Sequence, residues 1–338
     1  METPEGLNLS KGGQLEPEQQ FLFSLGGYIE DEAELRNPEQ EIEKISNNIR
    51  ETMEKFNRER VIIAISAGLD STLLLALAIK GVGEERVTCL YLPNEFTEGE
   101  TTELVEDVRL MGAEIKTIDL DPILKIMPGY EASAEYARNK LADSYKRESG
   151  DKSKSNWVKY LSGDWNKYAE SMRYLFATSS LRSALLQTEG LCQNALVLTA
   201  PNRTEKEVGL YTDGGPDCNG DMQPIVHLSK TQVFQLARNI EGFPRRILER
   251  VPTGDLKTPP DEVALGAPFP LVDLILAAHI KFGLGRREIV SQLGEQFEKY
   301  ASPLADLGYT DPALVVDNII DAYDLSRDKG RIPLKVKD

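Results

Sequence analysis

Apolar positions along this chain follow two rhythms. Beyond Asn37-Pro38, residues Ile42, Ile45, Ile49 and Met53 recur at spacings of three and four, which lines one face of a helix. At Val61 the rhythm changes to an unbroken run, VIIAI, suited to a strand buried on both faces. It stops at Ser66-Ala67-Gly68-Leu69-Asp70-Ser71-Thr72, and a second apolar run, LLLALAIK, begins at once. The pattern predicts a strand, a tight polar turn and a helix over 71–80. The alternation continues with a strand at 87–93, a helix around 100–111, a strand at 113–120, a helix near 175–190 and a strand at 195–201. Apolar strands separated by amphipathic helices imply an α/β, doubly wound parallel sheet covered on both faces. Ligands of such sheets sit at the carboxyl ends of the strands, where Ser66, Asn94 and Asn202 all fall.

The rest of the chain divides by composition. Residues 1–37 are rich in Glu, Gln and Gly and read as an N-terminal arm. Residues 38–275 form the central unit, interrupted at 126–174 by a polar stretch that reads as a solvated helical insertion with a loop, or else as a lid that orders on substrate binding. Residues 276–338 read as a helical extension and tail, with helices at 270–283, 286–299 and 312–325.

Charge and residue counts narrow the chemistry. A net charge of -16 over 338 residues argues against a broad nucleic-acid surface, which needs clustered Lys and Arg. Cys89, Cys192 and Cys218 are odd in number and lack metal-ligand spacing, and His227 and His279 are too few for a histidine-rich metal site. There is no charged-then-apolar leader and no apolar run of about 18 residues, so a soluble cytoplasmic protein with no membrane partner is expected.

The turn 66–72 is the most informative segment. A strand-to-helix turn gathers backbone N–H groups, the positive end of a helix dipole and small hydroxyls around one point, which suits an anion such as phosphate. Asp70 at its centre would repel phosphate unless a divalent cation lies between, so the turn reads as a pocket for magnesium and pyrophosphate. A plain connection with Ser or Asp as helix cap accounts for the same letters in isolation. Three later clusters have similarly bland readings when taken alone: a helix cap and surface acid at Asn202 to Glu205, an ordinary loop at Asp213 to Asp217, and a solvated helix-start lysine at Lys230.

Taken in order, the motifs are more specific. S-x-G-x-D-S-T from Ser66, L-V-L-x-x-x-N-R-T-E ending at Glu205, D-G-G-x-D from Asp213, L-x-K-T-Q from Leu228, P-T-x-D-L from Pro252 and P-D-E-V-A-L-G from Pro260 resemble the ammonia-dependent NAD synthetases. These belong to the PP-loop, adenine-nucleotide α-hydrolase-like superfamily with a Rossmann-like sheet. The resemblance implies an amide ligase that uses ATP and Mg2+, adenylates the carboxylate of nicotinate adenine dinucleotide with release of pyrophosphate, and amidates it with free ammonia. It implies a homodimer. By motif position, Ser66, Ala67, Gly68, Leu69, Asp70, Ser71, Thr72, Arg182 and Thr253 would bind ATP and pyrophosphate, and Asp70 and Glu205 would hold the metal. Asn202, Asp213, Asp217 and Lys230 would bind substrate, and Lys230, Asp70 and Thr253 would serve catalysis.

Departures from that pattern cluster at the substrate rim. Phe176, Thr178 and Ser180 replace an Asn, a Lys and an Arg, the Gly209–Asp213 stretch is short, Asn219-Gly220-Asp221 is extra, Asp328 stands for a tail His, and Ala67 replaces a Gly. They leave open a relative that adenylates another carboxylic acid, or a non-catalytic nucleotide-binding protein.

Overall fold

The computed structural model describes residues 29, 34–97, 99–147, 154–162, 173–254 and 260–327. Almost all of the N-terminal arm, and the tail with Asp328, lie outside these residues. The first element described in full is α1 (Pro38–Lys55), capped by Asn37 with Pro38 in the first turn. Then follow β1 (Arg60–Ile65), α2 (Leu69–Val82), β2 (Val87–Tyr91), α3 (Gly99–Arg109), β3 (Glu114–Thr117) and a one-turn α4 (Asp121–Leu124). Next come α5 (Tyr130–Arg147), α6 (Asn156–Leu161), α7 (Arg173–Cys192) and β4 (Ala195–Leu198). After β4 the chain is helical: α8 (Arg203–Val208), α9 (Lys230–Arg238), α10 (Arg245–Glu249), α11 (Asp261–Leu265), α12 (Phe269–Ile280), α13 (Arg286–Gln292), α14 (Gly294–Lys299), α15 (Ala301–Asp306) and α16 (Pro312–Ser326).

The four strands form one parallel sheet in the order β3-β2-β1-β4, with Val61 opposite both Val87 and Leu196. Side chains alternate across it, as a strand buried on both faces requires. Val61, Ile63 and Ile65 face a core shared with α1, α2, α3, α9 and α10, whereas Ile62 faces a second core with α5 and α7. The doubly wound reading is therefore correct. The connection from β1 leads to β2 on one side, and β4 returns on the other, so the order reverses between β1 and β4. A crevice opens at such a reversal beyond the carboxyl ends of the strands.

A third core gathers α12, α13 and α16 with Val208 at the end of α8. Position 275, the expected edge of the central unit, falls inside α12. The expected helix 286–299 is two helices, α13 and α14, broken at Leu293.

The insertion is helical in its described part, but it is not a solvated appendage. Tyr130, Ala134 and Ala137 of α5 are buried against the sheet, and Val158 of α6 is buried among the C-terminal helices. Apolar residues spaced at three and four positions within a polar-looking segment bury one face, and the polar remainder covers it. Among the described residues no helix is long and apolar enough to cross a membrane.

Gly81 sets the approach of α1 to α2. A Cβ there would strike the backbone carbonyl of Ser46 well inside van der Waals contact. Alanine normally gains about 0.5–1 kcal/mol over glycine in a helix, whereas overpacking a closed contact costs about 1–3 kcal/mol. Gly81→Ala is accordingly expected to lower stability in urea unfolding; a gain would show that the two helices separate freely.

Candidate active site

The turn between β1 and α2 is knitted by its own hydroxyls. Ser66 Oγ lies 3.2 Å from Ser71 Oγ and accepts from the Gly68 amide at 3.3 Å, and Ser71 Oγ donates to the Gly68 carbonyl at 3.2 Å. Ala67 takes a left-handed φ of 52° with its methyl buried in the core beneath the turn. The Ala that replaces the family glycine thus accepts a strained conformation, offset by burial of one methyl group. Gly68 caps α2 without a side chain, leaving this helix N-terminus without the usual Ser, Asp or Asn cap. Leu69 is buried among the core residues of α2, and the buried Thr72 hydroxyl has no hydrogen-bond partner.

Asp70, in the first turn of α2, meets residues from beyond β4. Its Oδ2 accepts from Lys230 Nζ at 2.5 Å, and its Oδ1 accepts from Asn202 Nδ2 at 2.9 Å. The same ammonium lies 3.3 Å from Glu205 Oε1. Asn202 and Glu205 form a reciprocal capping box at the start of α8, with the Glu205 amide donating to Asn202 Oδ1 at 2.9 Å and the Asn202 amide donating to Glu205 Oε2 at 3.2 Å. Lys230 is the first residue of α9, its side chain only 3% exposed, with its Nζ over the Phe269 ring.

The start of α9 is closed to outside acceptors. Its first three amides donate to Thr204 Oγ1 at 2.9 Å, Asp273 Oδ2 at 2.8 Å and Ser229 Oγ at 3.2 Å. Of the two helix starts that bear Asp70 and Lys230, the one fitted to receive an anion is that of α2.

Several acids converge on this one cation. Burial, then the charge of Asp70, push the Glu205 carboxyl up to about 8 against the pull of Lys230. Burial raises Asp261 to about 6, with Lys230 opposing and Asp70 adding. Burial also raises Asp217, opposed by Lys206, Arg182 and Lys230. Burial by itself would lower the Lys230 ammonium, but Asp70, Glu205 and Asp261 outweigh it and hold the group firmly charged.

Other expected site residues occupy different places. Asn202 is fully buried and orders the two acids from behind. Arg182 donates from Nε to the Leu92 carbonyl at the end of β2 at 3.1 Å, and its charge reaches Asp217. Thr253 pairs with Pro260 in an isolated antiparallel bridge, which places it beside the start of α11 and Asp261. Asp213 is exposed at the loop tip; burial, and after it the Asp213 charge, raise the Tyr211 hydroxyl, whose ring lies against the Lys206 ammonium. Asp221 accepts from the Val197 amide at 3.0 Å, a strand-edge role. Asn94 donates to Thr178 Oγ1 and accepts from the Phe96 amide, which fixes the loop beyond β2. Sequence reasoning assigned no role to Thr204, Lys206, Asp261 or Asp273. A lone acid inside the apolar run FPLVDLILAA was a usable signal, since such an acid is buried only with partners.

A family model described as NAD synthase matches residues 41–151 and 138–302. The chain belongs to the NAD synthase family. It is 31% identical over 265 residues to the NH(3)-dependent NAD(+) synthetase of Methanopyrus kandleri, covering 77% of this chain and 81% of that protein. It is 29% identical to the corresponding synthetase of Thermococcus kodakarensis, covering 76% of this chain and 87% of that one. Two solved structures share the fold. NMN synthetase from Francisella tularensis has a TM-score of 0.54 at 22% identity and covers 78% of this chain and 95% of that chain. The NH3-dependent NAD synthetase from Campylobacter jejuni has a TM-score of 0.54 at 19% identity and covers 89% and 100%. One side of α7 lines a cavity of about 340 Å³, where Arg173, Phe176, Ala177 and Ser180 face Met127, Pro128 and Tyr130.

The surplus of acid has a measurable consequence. Glu205, Asp261 and Glu207, which burial raises to about 7, all have folded values above their ordinary ones. Their contribution to stability is complete below about pH 4 and is lost as pH rises through 6 to 8. The melting temperature of the ligand-free protein should therefore fall between pH 5 and pH 8.5, and Glu205→Gln should flatten the slope; a rising or level curve would contradict the arrangement.

Proposed function

We propose that this chain is an ATP-dependent amide ligase that converts nicotinate adenine dinucleotide and ammonia to NAD. The observation that carries this reading is the start of α2, which has no side-chain cap, set beside the Asp70–Lys230–Glu205 cluster. A carboxylate is a poor electrophile, and adenylation makes it a mixed anhydride. The acid's oxygen attacks the α-phosphorus of ATP, the bond to the bridging oxygen breaks, and pyrophosphate leaves with its electrons. Ammonia then adds to the acyl carbon, loses a proton and expels AMP.

The residues suit that sequence through positioning and charge more than through proton transfer. The Ser66–Thr72 turn would receive the β- and γ-phosphates at the helix N-terminus, with the Ser66 and Ser71 hydroxyls and the unpartnered Thr72 hydroxyl as donors. Lys230 would move from Asp70 and Glu205 onto the α-phosphate as negative charge builds there. Asp217 and Lys206 would line the acid-substrate side, and Arg182, whose charge reaches Asp217, would stand between that side and the ATP phosphates.

Magnesium fits this donor set in a restricted way. Asp70 and Glu205 offer hard carboxylate oxygens, both turned to one ammonium. Among the described residues no group of three metal-ligating side chains is assembled. One or two carboxylates completed by substrate phosphates is the usual magnesium arrangement, so Asp70 and Glu205 would hold the ion. When bound it neutralises phosphate charge that Asp70 would otherwise repel. A homodimer is part of the proposal, following the family resemblance.

A second reading changes only the acid. Phe176, Thr178 and Ser180 give α7 no cation between Arg173 and Arg182, so the rim beside the loop at Asp213 suits a different pyridine nucleotide, such as nicotinate mononucleotide. Mass spectrometry of amide and AMP formed from the dinucleotide, the mononucleotide and unrelated acids decides between them. ATP binding with no AMP from any acid would favour a non-catalytic role.

Asp70→Asn should lower pyrophosphate release by about 100-fold or more while the fold is kept, as expected for loss of a charge-stabilising group. Lys230→Ala should lower kcat far more than it weakens ATP binding. Unchanged turnover in the first, or an affinity-only loss in the second, would refute the assigned roles.

A further inference from the structure

Asp273 lies within the apolar helix α12 and is 2% exposed. Its Oδ2 accepts from the Thr231 amide at 2.8 Å and from the Thr231 hydroxyl at 2.6 Å, and its Oδ1 accepts from the Thr204 hydroxyl. Thr204 Oγ1 in turn accepts the Lys230 amide at 2.9 Å. A hydroxyl that takes an amide proton on its oxygen has its own hydrogen left to give. The chain of donors therefore runs one way, from the Lys230 amide through Thr204 to Asp273.

The placement of these residues matters. Thr204 immediately precedes Glu205, and Thr231 immediately follows Lys230. Helices α8 and α9 are six and nine residues long, too short to hold a fixed orientation by their own hydrogen bonds. Asp273 makes no contact with the Lys230 ammonium; it grips the backbone and side chain next to each reactive group. Burying a carboxylate among apolar neighbours is costly unless every lone pair is used, and packing alone would be served by a leucine.

We propose that Asp273 is a positioning residue: through Thr204 and Thr231 it locks the starts of α8 and α9 together and so fixes Glu205, which would hold the metal, relative to Lys230, which would meet the α-phosphate. This rests on the ligase reading above. The Asp273 carboxyl is raised by burial, while the bonds from Thr204 and Thr231 pull it back toward the charged form that can accept all three donors. Loss of one acceptor would let the two helix starts shift, and misplacement by about 1 Å can cost about 100-fold in rate.

Steady-state AMP formation by the full chain tests this, with Asp273→Asn, Thr204→Val and Thr204→Ser measured beside the wild type. Asp273→Asn and Thr204→Val are expected to lower kcat by about tenfold or more with the KM for ATP changed less than about threefold, the signature of lost alignment. Thr204→Ser restores the hydroxyl and should return kcat to within about threefold of the wild type. Wild-type kcat in Thr204→Val, or equal losses in the Val and Ser variants, would overturn the proposal. Should Asp273→Asn not fold, the Thr204 pair decides alone. A wild type that forms no AMP overturns the ligase reading and the inference with it, whereas an active wild type with fully active variants overturns the inference only.

Discussion

One ammonium shared by two carboxylates organises this molecule's chemistry. Lys230 Nζ touches Asp70 from the β1 side of the crevice and Glu205 from the β4 side, and Asn202 links the acids from behind. Exposed ion pairs contribute little, but this one is buried, so its members need each other and their hydrogen bonds to be tolerated at all. The excess of negative charge around it gives the cluster a reason to accept further cations, and the uncapped start of α2 beside it gives a reason to accept an anion. A site that wants both is suited to a metal-bound polyphosphate.

The scaffold supplies that site by topology. The strand order reverses between β1 and β4, so the crevice beyond their carboxyl ends receives α2 and α8 directly, with the start of α9 bound to that of α8 through Thr204. The starts of α2 and α9 bear Asp70 and Lys230. The two helix starts are treated oppositely. The α2 start is left to a glycine, whereas the α9 start has its amides occupied by Thr204, Asp273 and Ser229. Filling one helix start and leaving the other uncapped directs the anion to one place.

Much of this was legible in the residues because the signals are local. The VIIAI run, the abrupt polar turn and the spacing of later strands reflect neighbouring positions, so the doubly wound sheet could be read from them, whereas the grouping of Asp70, Glu205 and Lys230 followed from the resemblance of the ordered motifs to a known family and not from local pattern. Three kinds of feature were not legible. Asn202 carries the same letters whether it faces a ligand or backs a capping box, and only its burial distinguishes them. The 126–174 segment is polar overall, and its buried face rests on Tyr130, Ala134, Ala137 and Val158, too sparse a stripe to stand out by composition. Asp273 acts through contacts far away in sequence, which no local pattern encodes.

The pairing of β1 with β4 also bears on how the protein comes to be active. Val61 aligns with Leu196, and everything between them, including β2, β3 and the helical insertion, must be threaded before that ladder closes. Non-local parallel pairing of this kind is slow because loop-closure entropy is lost before the contacts form. The residues that meet at Lys230 are therefore strangers until the sheet is complete. A chain still lacking β4 and the helices after it lacks Lys230, the lysine that balances Asp70 in the complete fold. Closure of the β1–β4 ladder is therefore a condition for the site as well as for the sheet, because it brings Asp70 within reach of Lys230.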